Sequence, residues 1–350
     1  MKRRQFLQTT AAATIAGIAD STAEAAKAPL SYFLIGDTHY RADEMAPDKM
    51  LPASVEVTTR LIEWLNKLPG TEFPAALGGG KIADPLGVIH AGDLIDSGDK
   101  NGEKFTTMQK TELAAFTADW GLNGGDGKLK WPVREIHGNH DSPGGKGLVI
   151  DAICARNKNR KSLANVSENG LHYSWDWNGV HFINLGIVVG QGKDVNQKRR
   201  YSPMNSLEFL ISDLKSKVGE SGKPVVITHH VDMIRYVADT PNSTPLAKEW
   251  DAGDVKAFYA ALKGYKIAAI NYGHTHVRNV FHWAGGPKIT APEKSAIPVF
   301  NTDNASHFNS KQQAFLHFTI TEKETIVREF GTTDSWQTGT WKDQMWKFPI

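Results

Sequence analysis

The sequence predicts an α/β fold folded as one domain, and three observations carry that prediction. Short apolar, β-branched runs alternate with amphipathic helical stretches along most of the chain. Five of those runs end directly in a small cluster of Asp, Asn or His residues, four of them led by Gly. No Pro/Ser-rich linker interrupts residues 37–320. The chain's 350 residues suffice for one large α/β domain or two ordinary ones, and the missing linker selects one.

Strands are expected at 30–36, 86–91, 133–137, 171–177, 180–185, 224–228 and 267–272, then at 277–283, 298–301, 315–320 and 324–330. Helices are expected at 53–68, 104–120, 146–157, 204–218 and 254–262. In the fourth, Leu207, Leu210, Ile211 and Leu214 share a face, and Ser202-Pro203 supplies a cap followed by Pro at the first helical position. Gly- and Asn-rich stretches at 78–80, 121–127 and 190–197 read as surface loops. The main domain is placed at 29–333. The remaining 334–350 form a tail whose Trp336, Trp341 and Trp346 either pack on the domain or line a groove.

Composition excludes some roles. Apolar content of 40% and 22% charged residues are ordinary for a soluble globular chain. The formal net charge of +2 stays near neutral once the basic N-terminus is discounted. A nucleic-acid-binding surface needs a basic excess or a Lys/Arg stripe, so neither a specific nucleic-acid partner nor nuclease activity is expected. Cys154 stands alone and rules out an intrachain disulfide.

The first 25 residues read as an export signal. A basic head, Lys2 to Arg4, is followed by Phe6-Leu7, a mildly apolar run at 9–19 and Ala23-Glu24-Ala25, the A-x-A form a signal peptidase requires. Arg3-Arg4-Gln5-Phe6-Leu7 resembles the twin-arginine signal, with Lys2 at the usual polar position and Gln8 in place of a common Lys. The expected partner is therefore the export machinery, and the expected location periplasmic or secreted. No other apolar stretch is long enough to cross a membrane.

The chemistry is concentrated in five segments: Gly36-Asp37-Thr38-His39, Gly92-Asp93-Leu94-Ile95-Asp96, Gly138-Asn139-His140-Asp141, Thr228-His229-His230 and Gly273-His274-Thr275-His276. Each lies just past the C-terminal end of an expected buried strand, where open α/β sheets place their sites. Asp-x-His and His-x-His set two side chains on one side of an extended segment. Two such pairs, with a further carboxylate and an Asn oxygen, exceed what one metal needs. Imidazole with carboxylate ligation suits Zn, Mn, Fe or Ni, and the lack of thiolates excludes iron–sulfur chemistry.

In this order, D-x-H, G-D-x-x-D, G-N-H-D, H and G-H-x-H resemble the signature of the calcineurin-like metallophosphoesterases, over about residues 33–280. The resemblance implies a four-layer α/β/β/α sandwich and a binuclear centre of two divalent or trivalent ions. One ion would be held by Asp37, His39, Asp93 and His276, the other by Asp93, Asn139, His229 and His274, with Asp93 bridging. His229 is taken as the ligand because it follows the strand directly. His230 is the adjacent alternative, and Val231 stands where the family often has Pro. The resemblance makes His140 the group that protonates the leaving oxygen or steadies the transition state, and Asp141 the residue that orients His140.

The implied activity is hydrolysis of phosphate esters, diesters ahead of monoesters, by in-line attack of a metal-bridging hydroxide whose parent water has a pKa lowered from 15.7 toward ~7. The competing reading is a catalytically silent metal-binding module on the same scaffold. Asp96 stands where purple acid phosphatases carry a Tyr ligand, so a ferric-tyrosinate enzyme is not expected. It reads as a support for the ligands. His137, His172, His181, His307 and His317 alternate with apolar residues and read as structural. Asp99, Lys100 and Asn101, and the triplet Lys198-Arg199-Arg200, read as solvated loops.

Overall fold

The computed structural model describes residues 29–195, 198–235, 249–286 and 296–350. The export signal expected at 1–25 lies outside these residues. In chain order the elements are β1 (Leu30–Ile35), β2 (Ala42–Asp43), β3 (Ala46–Met50), α1 (Pro52–Lys67), β4 (Val88–His90), α2 (Glu103–Trp120) and β5 (Val133–Glu135). Next come α3 (Leu148–Asn159), β6 (Leu163–Val166), β7 (Tyr173–Trp177), β8 (Val180–Asn184), α4 (Ser206–Asp213) and β9 (Val225–Thr228). The last are α5 (Ala252–Leu262), β10 (Ile267–Asn271), β11 (Asn279–Trp283), β12 (Ile297–Asn301), β13 (Gln313–Ile320), β14 (Glu324–Thr332) and β15 (Thr340–Pro349).

Two sheets stack. One runs β15-β14-β13-β1-β4-β5, the other β11-β12-β10-β9-β8-β7-β6. β1, β4 and β5 are mutually parallel, as are β8, β9, β10 and β12. Period-two alternation distributes the strand side chains between layers. From β1, Tyr32 and Leu34 enter the core between the sheets with Phe182, Val226 and Phe318. Phe33 and Ile35 turn the other way, onto Leu61 of α1, Phe116 of α2 and Ile153 of α3. In the second sheet, Val225, Ile227 and Ile270 pack under Leu210 of α4 and Phe258 of α5. The result is the α/β/β/α sandwich. Each fully buried Leu, Ile or Phe contributes about 1.5–3 kcal/mol, so the three cores hold the strand ends rigid.

Two expectations need correction. The helix expected from Met204 starts at Ser206, because Asn205 adopts a left-handed φ of 62° at the cap. Ile211 of that helix is exposed, while Asp213 is buried, held by Ser174 Oγ at 2.9 Å and His181 Nε2 at 2.8 Å. The segment expected as a tail is instead the edge of the first sheet, with β15 antiparallel to β14. Trp336 is buried against Phe315 and Phe330 and donates its indole N–H to the Ala305 carbonyl at 2.7 Å.

Candidate metal centre

The five motif segments converge at the C-terminal rim of the parallel strands. The backbone that brings them together is not extended, as the sequence suggested. Asp37 (φ 56°), His39 (46°), Asp93 (53°), His274 (73°) and His276 (49°) are all left-handed. A non-glycine residue held there costs about 1–3 kcal/mol and persists only where its surroundings impose it. Asp37 and His39 face one side because the chain turns at both, while Thr38 between them reaches His90 Nε2 at 2.9 Å. Glycines let the segments touch. A Cβ on Gly138 would lie 2.2 Å from Asp93 Oδ1, and one on Gly92 would lie 2.5 Å from His230 Nδ1.

Two donor sets share Asp93. In the first, His39 Nε2 is 3.1 Å from His276 Nε2 and 3.6 Å from Asp93 Oδ2, and His276 Nε2 is 3.5 Å from Asp37 Oδ1. In the second, His230 Nε2 is 3.2 Å from the same Asp93 Oδ2 and 3.1 Å from Asn139 Oδ1, which is 2.6 Å from His274 Nδ1. Asp37, Asp93, His39 and His230 are buried.

The ring tautomers are fixed from behind, the arrangement metal-ligating histidines require. His230 donates Nδ1–H to the Ala91 carbonyl at 2.7 Å, freeing Nε2. His39 Nδ1 faces Asp96 Oδ1 at 3.4 Å, so its Nε2 is likewise turned to the cluster. His274 is reversed: its Nε2 faces Glu249 Oε1 at 3.4 Å, and Nδ1 points inward. Asp96 in turn is held by Arg41 and by Lys100 at 3.0 Å.

These donors fit a cation. Ligands at about 2.1 Å from one tetrahedral ion lie about 3.4 Å apart, and most of the separations within each set fall near that value. Electrostatics point the same way. Burial alone would lower the pKa of His230, yet the Asp93 and Asp37 carboxylates override it and push the imidazole up to about 9. Burial would raise Asp37, but its contact with His276 brings it down to about 2. The pocket is built to hold positive charge.

The expected ligand His229 is not in the cluster. Its ring packs edge-on against Trp250 and Phe258 under α5, at 5.4 and 5.7 Å. His230 takes the place at the metal set. The reason is strand alternation: His229 follows Val225 and Ile227 onto the helix-covered face, while His230 follows Val226 and Thr228 to the other. Asp141 also departs from expectation, because its carboxylate does not touch His140. It accepts backbone N–H groups from Gly138 at 2.7 Å, Ile95 at 2.9 Å and Leu94 at 3.0 Å, tying the second motif to the third. His140 is oriented instead by the Asp96 carbonyl, 3.3 Å from Nδ1, with Asp99 Oδ1 at 4.0 Å. Its backbone N–H donates to Asp93 Oδ1 at 2.8 Å.

Three further groups have surroundings that the sequence did not show. His307, read as structural, lies with its ring centroid 4.7 Å from that of His39 and 5.3 Å from that of His276. Glu249 backs His274 and is paired by Arg200 and Arg235. Arg199, read as solvated, is tied to the buried Asp254 at 2.7 Å.

A fold of this topology with paired Asp/His donor sets at the strand ends defines a metallophosphoesterase. The chain belongs to the calcineurin-like phosphoesterase family, whose model matches residues 30–278. No curated protein sequence matches it. Similar solved structures include a dimetal phosphatase from Danio rerio, at 13% identity and TM-score 0.46 over 89% of this chain and 98% of that one. GAP50, described as the anchor in the inner membrane complex of Plasmodium, gives 11% and 0.49 over 93% and 90%. Phosphopantetheinyl hydrolase from Mycobacterium tuberculosis gives 10% and 0.33 over 79% and 91%.

Proposed function

We propose that the chain is an exported, binuclear metal-dependent phosphoric ester hydrolase that acts on phosphodiesters ahead of phosphomonoesters. The observation that carries this reading is the position of one carboxylate: Asp93 Oδ2 lies 3.2 Å from His230 and 3.6 Å from His39, between two donor sets. Asp37, His39, Asp93 and His276 would hold one ion, and Asp93, Asn139, His230 and His274 the other. When bound, such ions supply Lewis acidity toward phosphoryl oxygens and lower the pKa of a water.

The chain's own contribution is placement. Asp96, Ala91 and Glu249 hold three imidazoles with their inward nitrogens as acceptors. His140 stands at the rim with its side chain about a third exposed. Anchored through Nδ1–H to the Asp96 carbonyl, it can give a proton from Nε2 to a departing alkoxide only as the imidazolium. Burial opposes that form, but the Asp93, Asp96 and Asp99 carboxylates outweigh it and raise the ring's pKa. Monoester and diester hydrolysis both expel an alkoxide that needs that proton, so this donor supports ester hydrolysis in general.

Initial rates of the manganese-loaded mature chain on bis-p-nitrophenyl phosphate and p-nitrophenyl phosphate test the reading. The diester is expected to turn over faster, and Asp93→Ala to abolish both activities. A protein that carries two metal equivalents yet hydrolyses no phosphate ester would instead be a silent metal-binding module. Export rests on residues 1–25: Arg3-Arg4→Lys-Lys should leave the precursor inside the cell, and normal export of that variant would remove the twin-arginine assignment.

A further inference from the structure

We propose that His307 contacts the substrate as a fixed hydrogen-bond donor to the phosphoryl group, standing beside the first metal set without ligating it. This deepens the hydrolase reading above and rests on it. His307 lies in the loop between β12 and β13, which carries none of the five motifs. One of its ring nitrogens is within 4.8 Å of the ligand atoms of His39 and His276, near enough to share whatever those residues hold.

Its tautomer decides between ligand and donor. The backbone N–H of Asn309 donates to His307 Nδ1 at 3.2 Å. A neutral imidazole that accepts at Nδ1 carries its proton on Nε2. A ring bound to a metal through Nε2 would need Nδ1–H as donor, and that hydrogen would meet the Asn309 N–H head-on. Ligation through Nδ1 would have to displace the Asn309 bond. His307 Nε2 therefore carries an N–H, not a lone pair.

The donor is also held still, which is what makes a hydrogen bond effective where charge develops on oxygen. The His307 backbone N–H donates to Asn304 Oδ1 at 3.0 Å, and its carbonyl accepts from Gln313 Nε2 at 3.1 Å. Its ring stacks on Phe308 with centroids 4.7 Å apart and 17° between planes. The loop itself is pinned to the first motif: Ala305 N donates to the Gly36 carbonyl at 2.9 Å, and Ser306 Oγ to the Thr38 carbonyl at 3.3 Å. A rigid N–H beside one metal set suits a tetrahedral oxyanion with more oxygens than two ions can cover.

The test uses inorganic phosphate on the manganese-loaded mature protein, measured by calorimetry, with metal content by elemental analysis. His307→Phe keeps a flat ring in the stack but removes the N–H. Its phosphate affinity should fall about tenfold or more, the usual worth of a hydrogen bond to a charged group, with two metals retained. His307→Gln, which restores a donor, should recover most of that affinity. Unchanged phosphate affinity in His307→Phe would overturn the inference. Loss of one metal equivalent in both variants would also overturn it and make His307 a ligand. In either case wild-type turnover leaves the hydrolase reading standing. A wild-type protein that neither binds phosphate nor cleaves esters would overturn both.

Discussion

His230 Nδ1 meets the Ala91 carbonyl at 2.7 Å, and that single contact aims Nε2 at Asp93, 3.2 Å away. Its neighbour His229 faces the opposite side of β9, among Trp250 and Phe258. Two adjacent histidines thus have separable duties. His230→Ala should lose one metal equivalent by elemental analysis while leaving the fold intact by circular dichroism. His229→Phe should keep both metals and alter only thermal stability. The reverse pattern would restore His229 to the metal set.

Asp141 ties two loops by accepting three buried N–H groups, from Leu94, Ile95 and Gly138. Leaving a buried donor without a partner costs about 1–3 kcal/mol each. Asp141→Ala should therefore lower the unfolding free energy by about 3 kcal/mol or more, read from urea titration. Asp141→Asn keeps one acceptor oxygen and should lose less. A variant with full stability but altered His140 behaviour would return Asp141 to the role of orienting His140.

Much of this is legible in the sequence itself. The parallel strands announced themselves because buried runs such as Val225-Val226-Ile227 are β-branched and end abruptly in polar groups. The motif order then picked out most of the side chains that the structure gathers at the strand ends. What failed depended on information that local pattern lacks. The choice between His229 and His230 needed the face on which β9 carries its helices, although the alternation Val225, Ile227, His229 held the clue. The left-handed turns at Asp37 and His276 are imposed by tertiary contacts and contradict local propensity. β15 escaped notice because Trp341-Lys342-Asp343-Gln344-Met345-Trp346-Lys347 lacks period-two alternation, and half of this edge strand is exposed. His307 escaped because it lies six residues past the end of β12, in a loop with no glycine-led motif to mark it.

Chelation gives a third prediction. Asp37 and Asp93 are each 1% exposed and close to one another's ligand partners, so a bound cation stabilises only the folded chain. Metal at one hundred times its dissociation constant adds about 2.7 kcal/mol per site. Scanning calorimetry should show a melting temperature that rises with manganese and falls with EDTA. Asp93→Ala, which removes the shared ligand, should melt at the same temperature in both. Equal shifts in that variant would mean the metals bind elsewhere.

The last prediction concerns acid. His317, on β13, accepts or donates through Nε2 to Ser31 Oγ at 2.8 Å, and burial pushes its pKa down to about 3, helped by Arg328. His172 is held at about 4, again chiefly by burial. Both lie outside the metal sets, so their titration is a matter of folding rather than of ligation. An unfolded histidine takes up its proton near pH 6.5. As pH falls below that value the unfolded chain binds protons that the native rings refuse, and the native state loses ground. The contribution is intact above about pH 6.5 and erodes until the folded pKa values are reached. At pH 5 each ring should already have cost about 2 kcal/mol. Urea midpoints measured in EDTA, to remove metal effects, should therefore drop steadily between pH 7 and pH 5. His317→Gln, which can still reach Ser31 but does not titrate, should flatten that slope. A slope unchanged by His317→Gln would place the acid sensitivity in other groups.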